Sequence, residues 1–147
     1  MNKSISGFDK WGLEGFILDA IIERGWKEPT EIQIESVPPA RKGRDIVGQA
    51  RTGSGKTAAF GIPILEKCSP TGSIQGIILC PTRELAVQVS GELSILQGKK
   101  GLNIQTVYGG TDIEKQAKNL QKGADIVVGT PGRVIDMSKR GHLELGN

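Results

Sequence analysis

Gly53-Ser54-Gly55-Lys56-Thr57 gathers, in consecutive positions, the groups that a phosphate chain needs. Glycines let successive N–H groups turn inward around β- and γ-phosphates. Lys56 adds a point charge, and Thr57 offers a hydroxyl to Mg²⁺. The strict pattern G-x-x-x-x-G-K-[ST] asks for Gly at position 50, where this chain has Ala50. Alone, the segment could be a flexible lysine-bearing loop. With the short apolar strand Asp45-Ile46-Val47-Gly48 before it and a helical pattern after it, it predicts a nucleoside triphosphate site.

Upstream, Gly25-Trp26-Lys27-Glu28-Pro29-Thr30-Glu31-Ile32-Gln33 holds two further candidates. A Gln side chain donates and accepts at once, which matches the paired donor and acceptor on the edge of adenine. Trp26 supplies a flat apolar face for stacking. A core Trp and a surface Gln on a helix would explain the same residues.

Three apolar runs end alike. Ile46-Val47 leads to Ala50-Arg51-Thr52-Gly53, Ile78-Leu79-Cys80 to Pro81-Thr82-Arg83-Glu84-Leu85, and Val127-Val128-Gly129 to Thr130-Pro131-Gly132-Arg133. Each then enters a helix. In a parallel sheet such ends share one edge, where open α/β folds bind ligands, and helix N-termini favour phosphate. Thr82 and Thr130 suit the N-cap, and Pro131 suits the first helical position. Arg83 and Arg133 then oppose the helix dipole. That mild violation points both arginines at an anion; solvated surface arginines are the other reading.

The elements that must position these residues follow from periodicity. Helical spacing runs through Leu13, Phe16, Ile17, Ala20 and Ile21 and closes at Gly25. A second helix starts near Thr30, with Ile32, Ser36 and Val37 on one face; Pro38-Pro39 should kink or end it. Residues 55–67 are helical in part, with Pro63 disturbing the later turns. Strands are expected over 75–80, 103–108 and 125–128. Helices are expected over 83–97, with Leu85, Val89, Leu93 and Leu96 as its stripe, and over 131–139. Thr111-Asp112-Ile113-Glu114 reads as a capping box before a stripe of Ile113, Ala117 and Leu120 that ends at Gly123. The alternation of strand and helix, with two of the strands apolar without alternation, predicts an α/β fold: a parallel sheet with helices on both faces.

A chain of 147 residues suffices for one domain, and its net charge of +3 permits an anionic partner without demanding one. Gly is frequent, at 21 residues against an average usage of roughly 7%. Cys68 and Cys80 have no metal-ligand spacing and read as reduced thiols. No apolar run reaches the roughly 18 residues of a membrane span, and the N-terminus lacks a signal h-region. A cytoplasmic protein is the expectation. Lone His142 and the Lys99-Lys100 pair read as solvated surface.

These motifs together resemble the N-terminal RecA-like P-loop domain of DEAD-box ATP-dependent RNA helicases. Trp26-Lys27-Glu28-Pro29-Thr30-Glu31-Ile32-Gln33 looks like the family's Q motif, and Phe8 its isolated upstream aromatic. Ala50-Arg51-Thr52-Gly53-Ser54-Gly55-Lys56-Thr57 is similar to motif I, AxTGxGKT, which accounts for Ala50. Pro81-Thr82-Arg83-Glu84-Leu85-Ala86 looks like motif Ia, Gly109-Gly110 like the GG element, and Thr130-Pro131-Gly132-Arg133 like motif Ib. The resemblance covers nearly the whole chain. It implies that ATP and Mg²⁺ are bound by Phe8, Trp26, Gln33, Ala50, Thr52, Gly53, Ser54, Gly55, Lys56 and Thr57. Lys56 would hold the β- and γ-phosphates and Thr57 would ligate Mg²⁺, and these two are the catalytic candidates. It also implies that Pro81, Thr82, Arg83, Gly109, Gly110, Thr130, Pro131, Gly132 and Arg133 contact the RNA sugar-phosphate backbone, which fixes register without reading sequence. Gly132 would permit close approach, Thr130 would cap and donate, and Arg133 would pair bidentately with a phosphate.

The family's DEAD and SAT motifs and its second RecA-like domain are not among the 147 residues. The expectation is a partial helicase ATP-binding domain over 1–147, its sheet incomplete at the C-terminal side, that alone hydrolyses ATP negligibly and unwinds nothing. A DNA-acting superfamily 2 helicase and a non-catalytic ATP- or RNA-binding module are the alternatives.

Overall fold

The computed structural model describes residues 13, 15–23, 28–42, 56–110 and 112–143, without the side chains of residues 16, 18, 22, 23 and 56. The expected strand over 45–48 and the helix stop at Gly25 lie outside the described residues. Those described form α1 (Gly15–Glu23), α2 (Glu31–Arg41), α3 (Lys56–Lys67), β1 (Gly76–Leu79), α4 (Arg83–Leu96), β2 (Ile104–Val107), α5 (Ile113–Gln121), β3 (Ile126–Gly129) and α6 (Pro131–Lys139). The chain forms two compact units, one of residues 1–67 with 95–99 and the other of residues 68–94 with 100–147. Among the described residues no helix is long and apolar enough to cross a membrane.

In the first unit α2 packs along α3. The apolar side chains buried there include Ile17, Ala20, Ile21, Val37, Ala58, Ile62 and Leu65. A two-point ion pair ties the C-terminal ends of α2 and α3, with Arg41 Nε 2.8 Å from Glu66 Oε1 and Arg41 Nη2 3.1 Å from Glu66 Oε2. Lys67 adds a bond from Nζ to the Ala40 carbonyl at 3.5 Å. Pro38 and Pro39 do not end α2, and Pro63, expected to disturb the later turns of α3, does not interrupt it. α2 runs through Pro38 and Pro39 to Arg41, and α3 through Pro63 to Lys67. The carbonyls that Pro38 and Pro39 cannot pair belong to Ile34 and Glu35, both exposed, where water can satisfy them. The Pro63 ring is buried, so apolar contact offsets its missing donor.

The second unit is built on a parallel sheet of order β1-β3-β2. Gly76, Ile77, Ile78 and Leu79 lie opposite Ile126, Val127, Val128 and Gly129, which in turn lie opposite Ile104, Gln105, Thr106 and Val107. β3 is buried along its whole length, as an uninterrupted apolar run with a strand on each side should be. Helices cover both faces. On one, Thr106 Oγ1 donates to Ser90 Oγ of α4 at 2.6 Å. On the other, Val107, Val127, Ala117, Leu120, Val134 and Met137 form one cluster beneath α5 and α6, with Ile77 and Ile113 packed against it. Leu85 is not part of the buried stripe of α4: it is 38% exposed, while Ala86, Val89 and Leu93 are buried. The covered face passes through position 86, one step around the helix. The cap of α5 is also one residue later than the capping box implied. Asp112, not Thr111, holds the N-cap, with its Oδ1 accepting from Glu114 N at 2.9 Å. Asp is as good a cap as Thr and sits directly before the apolar stripe. Thr111 itself lies outside the described residues. Gly123, at φ +108°, ends α5 as expected, and a Cβ there would lie 3.4 Å from the Gly72 carbonyl oxygen.

The N-terminal ends of the strands meet at one buried carboxylate. Asp125 is 1% exposed. Its Oδ1 accepts from Thr71 N at 3.0 Å, Gly72 N at 2.8 Å and Gln75 Nε2 at 3.2 Å, and its Oδ2 from Asn103 N at 2.8 Å. Its backbone N–H donates to the Asn103 carbonyl at 2.8 Å, and its carbonyl accepts from Gln75 N at 2.8 Å. A carboxylate is tolerated in an interior when its lone pairs are met in this way. Asp125→Asn turns one acceptor oxygen into a donor amide facing the N–H groups around it. It should cost about 3 kcal/mol, the scale of bonds to a charged acceptor plus a stranded donor, as measured by chemical denaturation.

Burial raises the thiol pKa of Cys80, and of Cys68, where Lys100 partly opposes the rise and Asp125 adds to it. An acid whose folded pKa is raised contributes stability that is fully present below the unfolded thiol value and is lost as pH climbs from there through the raised folded value. Near the ordinary thiol pKa of about 8.5, both cysteines should alkylate faster in denaturant than in buffer, as read by mass spectrometry.

Candidate functional site

The C-terminal edge of the sheet brings three of the sequence-predicted segments side by side. Backbone pairing continues past the strands: Cys80 N donates to the Gly129 carbonyl at 2.8 Å, and Thr130 N to the Val107 carbonyl at 3.1 Å. Pro81, Thr130 and Tyr108 therefore leave the sheet from adjacent positions. With strands about 4.8 Å apart, the three departures span roughly 10 Å. Pro81, Thr82, Arg83, Gly109, Gly110, Pro131 and Gly132 are exposed there, and Thr130 and Arg133 are half-buried.

Local chemistry builds each segment. Thr82 caps α4, its Oγ1 accepting from Leu85 N at 3.2 Å and its carbonyl from Ala86 N at 3.0 Å. Thr130 holds the equivalent place on α6, where its carbonyl accepts from Val134 N at 3.0 Å and Pro131 opens the helix. Thr130 holds the N-cap position as expected, but its hydroxyl makes no capping bond. Gly110 takes φ +83°, a conformation that L side chains rarely adopt. A Cβ on Gly109 or Gly132 would meet nothing within 4 Å, so both present bare backbone to open space. Gly129 is the opposite case: a Cβ there would strike Val107 Cγ2 at 2.6 Å and Val134 Cγ2 at 2.7 Å.

Both arginines lie at this edge with weak partners. Arg83 stands over the Tyr108 ring, 5.9 Å from its centroid, and its Nε is 3.7 Å from the exposed Glu84 carboxylate. Such a pair is heavily screened. Arg133 donates from Nη1 to Gln116 Oε1 at 3.0 Å. Gln116 also brackets Tyr108, accepting from its N at 3.3 Å and donating from Nε2 to its carbonyl at 3.1 Å. Gln116 and Tyr108 were not among the candidates read from the sequence. Gln116 is a polar residue beside the apolar stripe of α5, and no spacing in the sequence links it to the two loops it joins.

In the other unit, Gln33 is 2% exposed rather than a surface residue. Its Oε1 accepts from Thr30 N at 3.0 Å. That N–H fixes which end of the amide is the oxygen, and hence which end donates. Because the C-terminal ends of α2 and α3 are tied together, Gln33 and Thr57 sit in the N-terminal turns at the other end of the pair. Lys56 opens α3 and Thr57, half-buried, follows it. Phe8, Trp26, Ala50, Thr52, Gly53, Ser54 and Gly55 lie outside the described residues.

Residues 30–146 match the DEAD/DEAH box helicase family. The chain is 48% identical over 139 residues to a DEAD-box ATP-dependent RNA helicase CshA of Streptococcus pneumoniae serotype 4, covering 94% of this chain and 26% of that protein. Against CshA of Bacillus cereus the identity is 47% over 141 residues, covering 95% and 27%. The chain thus spans about a quarter of the length of these relatives. The crystal structure of a DEAD box protein from Methanococcus jannaschii superposes with a TM-score of 0.91 at 48% identity, over 96% of this chain and 39% of that one. A hypothetical ATP-dependent RNA helicase from Sulfolobus tokodaii gives 0.82 at 38% identity, over 90% and 38%. The fold is the RecA-like α/β fold of these neighbours.

Proposed function

We propose that this chain carries nucleotide- and RNA-binding elements of an ATP-dependent RNA helicase, from the premise that it belongs to the DEAD/DEAH box helicase family. Its relatives are named as ATP-dependent RNA helicases, and the reading gives ATP hydrolysis and RNA remodelling to the whole protein that this chain contributes to. We place that protein in the cytoplasm, with a second RecA-like domain as the partner that completes the site.

The observation that carries the reading is the sheet edge, where backbone pairing sets Pro81-Thr82-Arg83, Thr130-Pro131-Gly132-Arg133 and Gly109-Gly110 beside one another. Two guanidiniums, a half-buried hydroxyl, the α4 and α6 N-termini and bare glycine backbone suit a row of phosphates. Such contacts bind any sequence and choose only the path of the strand. The Thr130 hydroxyl, which makes no capping bond, suits a phosphate oxygen.

For the nucleotide, Gln33 presents an amide whose orientation is set by Thr30, as selection of adenine requires. Lys56 and Thr57 stand in the first turn of α3, where a helix N-terminus favours anions. Thr57 would hold Mg²⁺ through its hydroxyl. The ion would neutralise charge on the phosphates. Lys56 would grip the β- and γ-phosphates, and Trp26 with Phe8 would flank the base. Residues 50–55 would wrap the phosphates with their backbone N–H groups.

Two measurements test the reading. Calorimetry should show ATP binding that GTP does not displace and that Gln33→Ala and Lys56→Ala abolish; GTP competing on equal terms would refute adenine selection. Titration of single-stranded RNA across salt concentrations should show log K falling with log[salt]. Arg83→Ala or Arg133→Ala should each flatten that slope by about 0.7, the value for one phosphate contact on a single strand. Gly132→Ala should weaken RNA binding while leaving the melting temperature unchanged or higher, since its Cβ meets nothing in the protein.

A further inference from the structure

Gln116 is the polar residue at this edge to which the preceding reading gives no role. It lies on α5, away from all three segments in sequence, yet its amide joins two of them. Oε1 accepts from Arg133 Nη1 at 3.0 Å and from Tyr108 N at 3.3 Å, and Nε2 donates to the Tyr108 carbonyl at 3.1 Å. The two Tyr108 bonds imitate a strand pairing. They hold the backbone directly before Gly109-Gly110, on the side of β2 where no strand runs alongside among the described residues. Tyr108 in turn sets its ring beneath Arg83, 5.9 Å from the guanidinium carbon. One neutral side chain thus fixes the loop carrying Gly109 and Gly110, and orients Arg133.

We propose that Gln116 is a positioning residue for RNA: it holds Arg133 and the Tyr108–Gly110 loop at a fixed separation, so that both meet the sugar-phosphate backbone in one register. The inference rests on the RNA reading above and adds a residue that touches no RNA. The physical reason is the character of the target. Phosphates on a strand recur at set intervals, and a guanidinium on a long side chain loses rotamer entropy when it must find one of them. Prior orientation removes that cost. Gln suits the task better than Glu. A carboxylate could hold Arg133, but it would repel both the Tyr108 carbonyl and the incoming phosphates. Gln supplies acceptor and donor on one rigid plane without net charge. The position of Gln116 is itself secured. Asp112 caps the first turn of α5, accepting from Glu114 N at 2.9 Å, and Ala117 and Leu120 anchor the helix in the core cluster.

The test uses Gln116→Met, which keeps length and apolar bulk but makes none of these bonds. It is compared with Arg133→Ala and with the double variant, in the 147-residue chain. Amide exchange at Tyr108 should quicken, and the Arg133 Nε–H resonance should shift or broaden, with the melting temperature within a few degrees of the parent. RNA affinity should fall on the order of tenfold, as for loss of a bond to a charged group. The salt slope should also flatten although no charge was removed, because the Arg133 contact is no longer made. The double variant should bind no more weakly than Arg133→Ala alone. A Gln116→Met protein with the parental salt slope, or a double variant weaker than Arg133→Ala by the full single effects, overturns the inference. If Arg133→Ala itself leaves the slope unchanged, the RNA reading fails and this inference fails with it. If Arg133→Ala flattens the slope and Gln116→Met does not, the RNA reading stands and only the role of Gln116 is lost.

Discussion

The buried carboxylate of Asp125 is the constraint on which the sheet depends. A parallel sheet has no hairpin to set register, so some other group must bring strands distant in sequence into line. Asp125 does this immediately before the central strand. It collects the N–H groups of Thr71, Gly72 and Asn103, which lie just before β1 and β2. The gathered donors are backbone groups in segments that no ladder can satisfy. Buried and unpaired, each would cost roughly 1–3 kcal/mol. The carboxylate answers several at once, and their collective dipole offsets its own desolvation. Gln75 encloses the arrangement, with Nε2 also donating to the Ser69 carbonyl at 2.7 Å.

Register fixed at one end of the strands determines what stands at the other. Each strand spans four residues, too short to absorb a slip, and a shift of one position would turn the buried row over. With Asp125 holding Asn103 and the loop before β1, Leu79, Gly129 and Val107 are forced level. The segments after them must then leave the sheet together. The opposite ends of the sheet thus do different work. The end around Asp125 is closed and its polar groups are paired within the fold, whereas the far end exposes capping residues, glycines and two arginines. Arg83 and Arg133 sit where a helix dipole disfavours cations. Neutral groups stand beside both, the Tyr108 ring at Arg83 and the Gln116 amide at Arg133, and neither cancels their charge. The exposed Glu84 near Arg83, at 3.7 Å, is too loosely placed to do so.

Much of this was legible in the sequence, for identifiable reasons. β3 is an unbroken apolar run because it has a strand on each side. α6 is marked at its start by Thr130-Pro131, and Gly123 marks the end of α5 because the chain there needs a positive φ. Local rules misled where tertiary contact outweighed them. Pro38 and Pro39 argued for the end of α2, yet the freed carbonyls fall on exposed residues. Of the stripe expected on α4, Val89, Leu93 and Leu96 are buried and only Leu85 is not, its place in the first turn being taken by Ala86. Asp112 and Thr111 are equally good caps by type, and the start of the apolar stripe decides between them. The role of Gln116 was illegible for a different reason: its partners lie 8 and 17 residues away, and no spacing rule connects a helix residue to two loops.

The glycines of the β3–α6 junction show why motif and geometry must be read together. Gly129 and Gly132 stand three residues apart in one short segment and look equivalent in sequence. A side chain at Gly129 would strike Val107 and Val134, so that glycine is required by the contact of β3 with β2 and α6. A side chain at Gly132 would meet nothing, so nothing in the fold requires glycine there. In the first turn of a helix, glycine costs up to about 1 kcal/mol relative to alanine. A residue that weakens its helix and relieves no internal clash calls for a reason outside the chain, and close approach of another backbone supplies one. The half-buried Thr130 and Arg133 flank that bare position. The β3–α6 junction thus pairs a glycine that the fold demands with one that it does not.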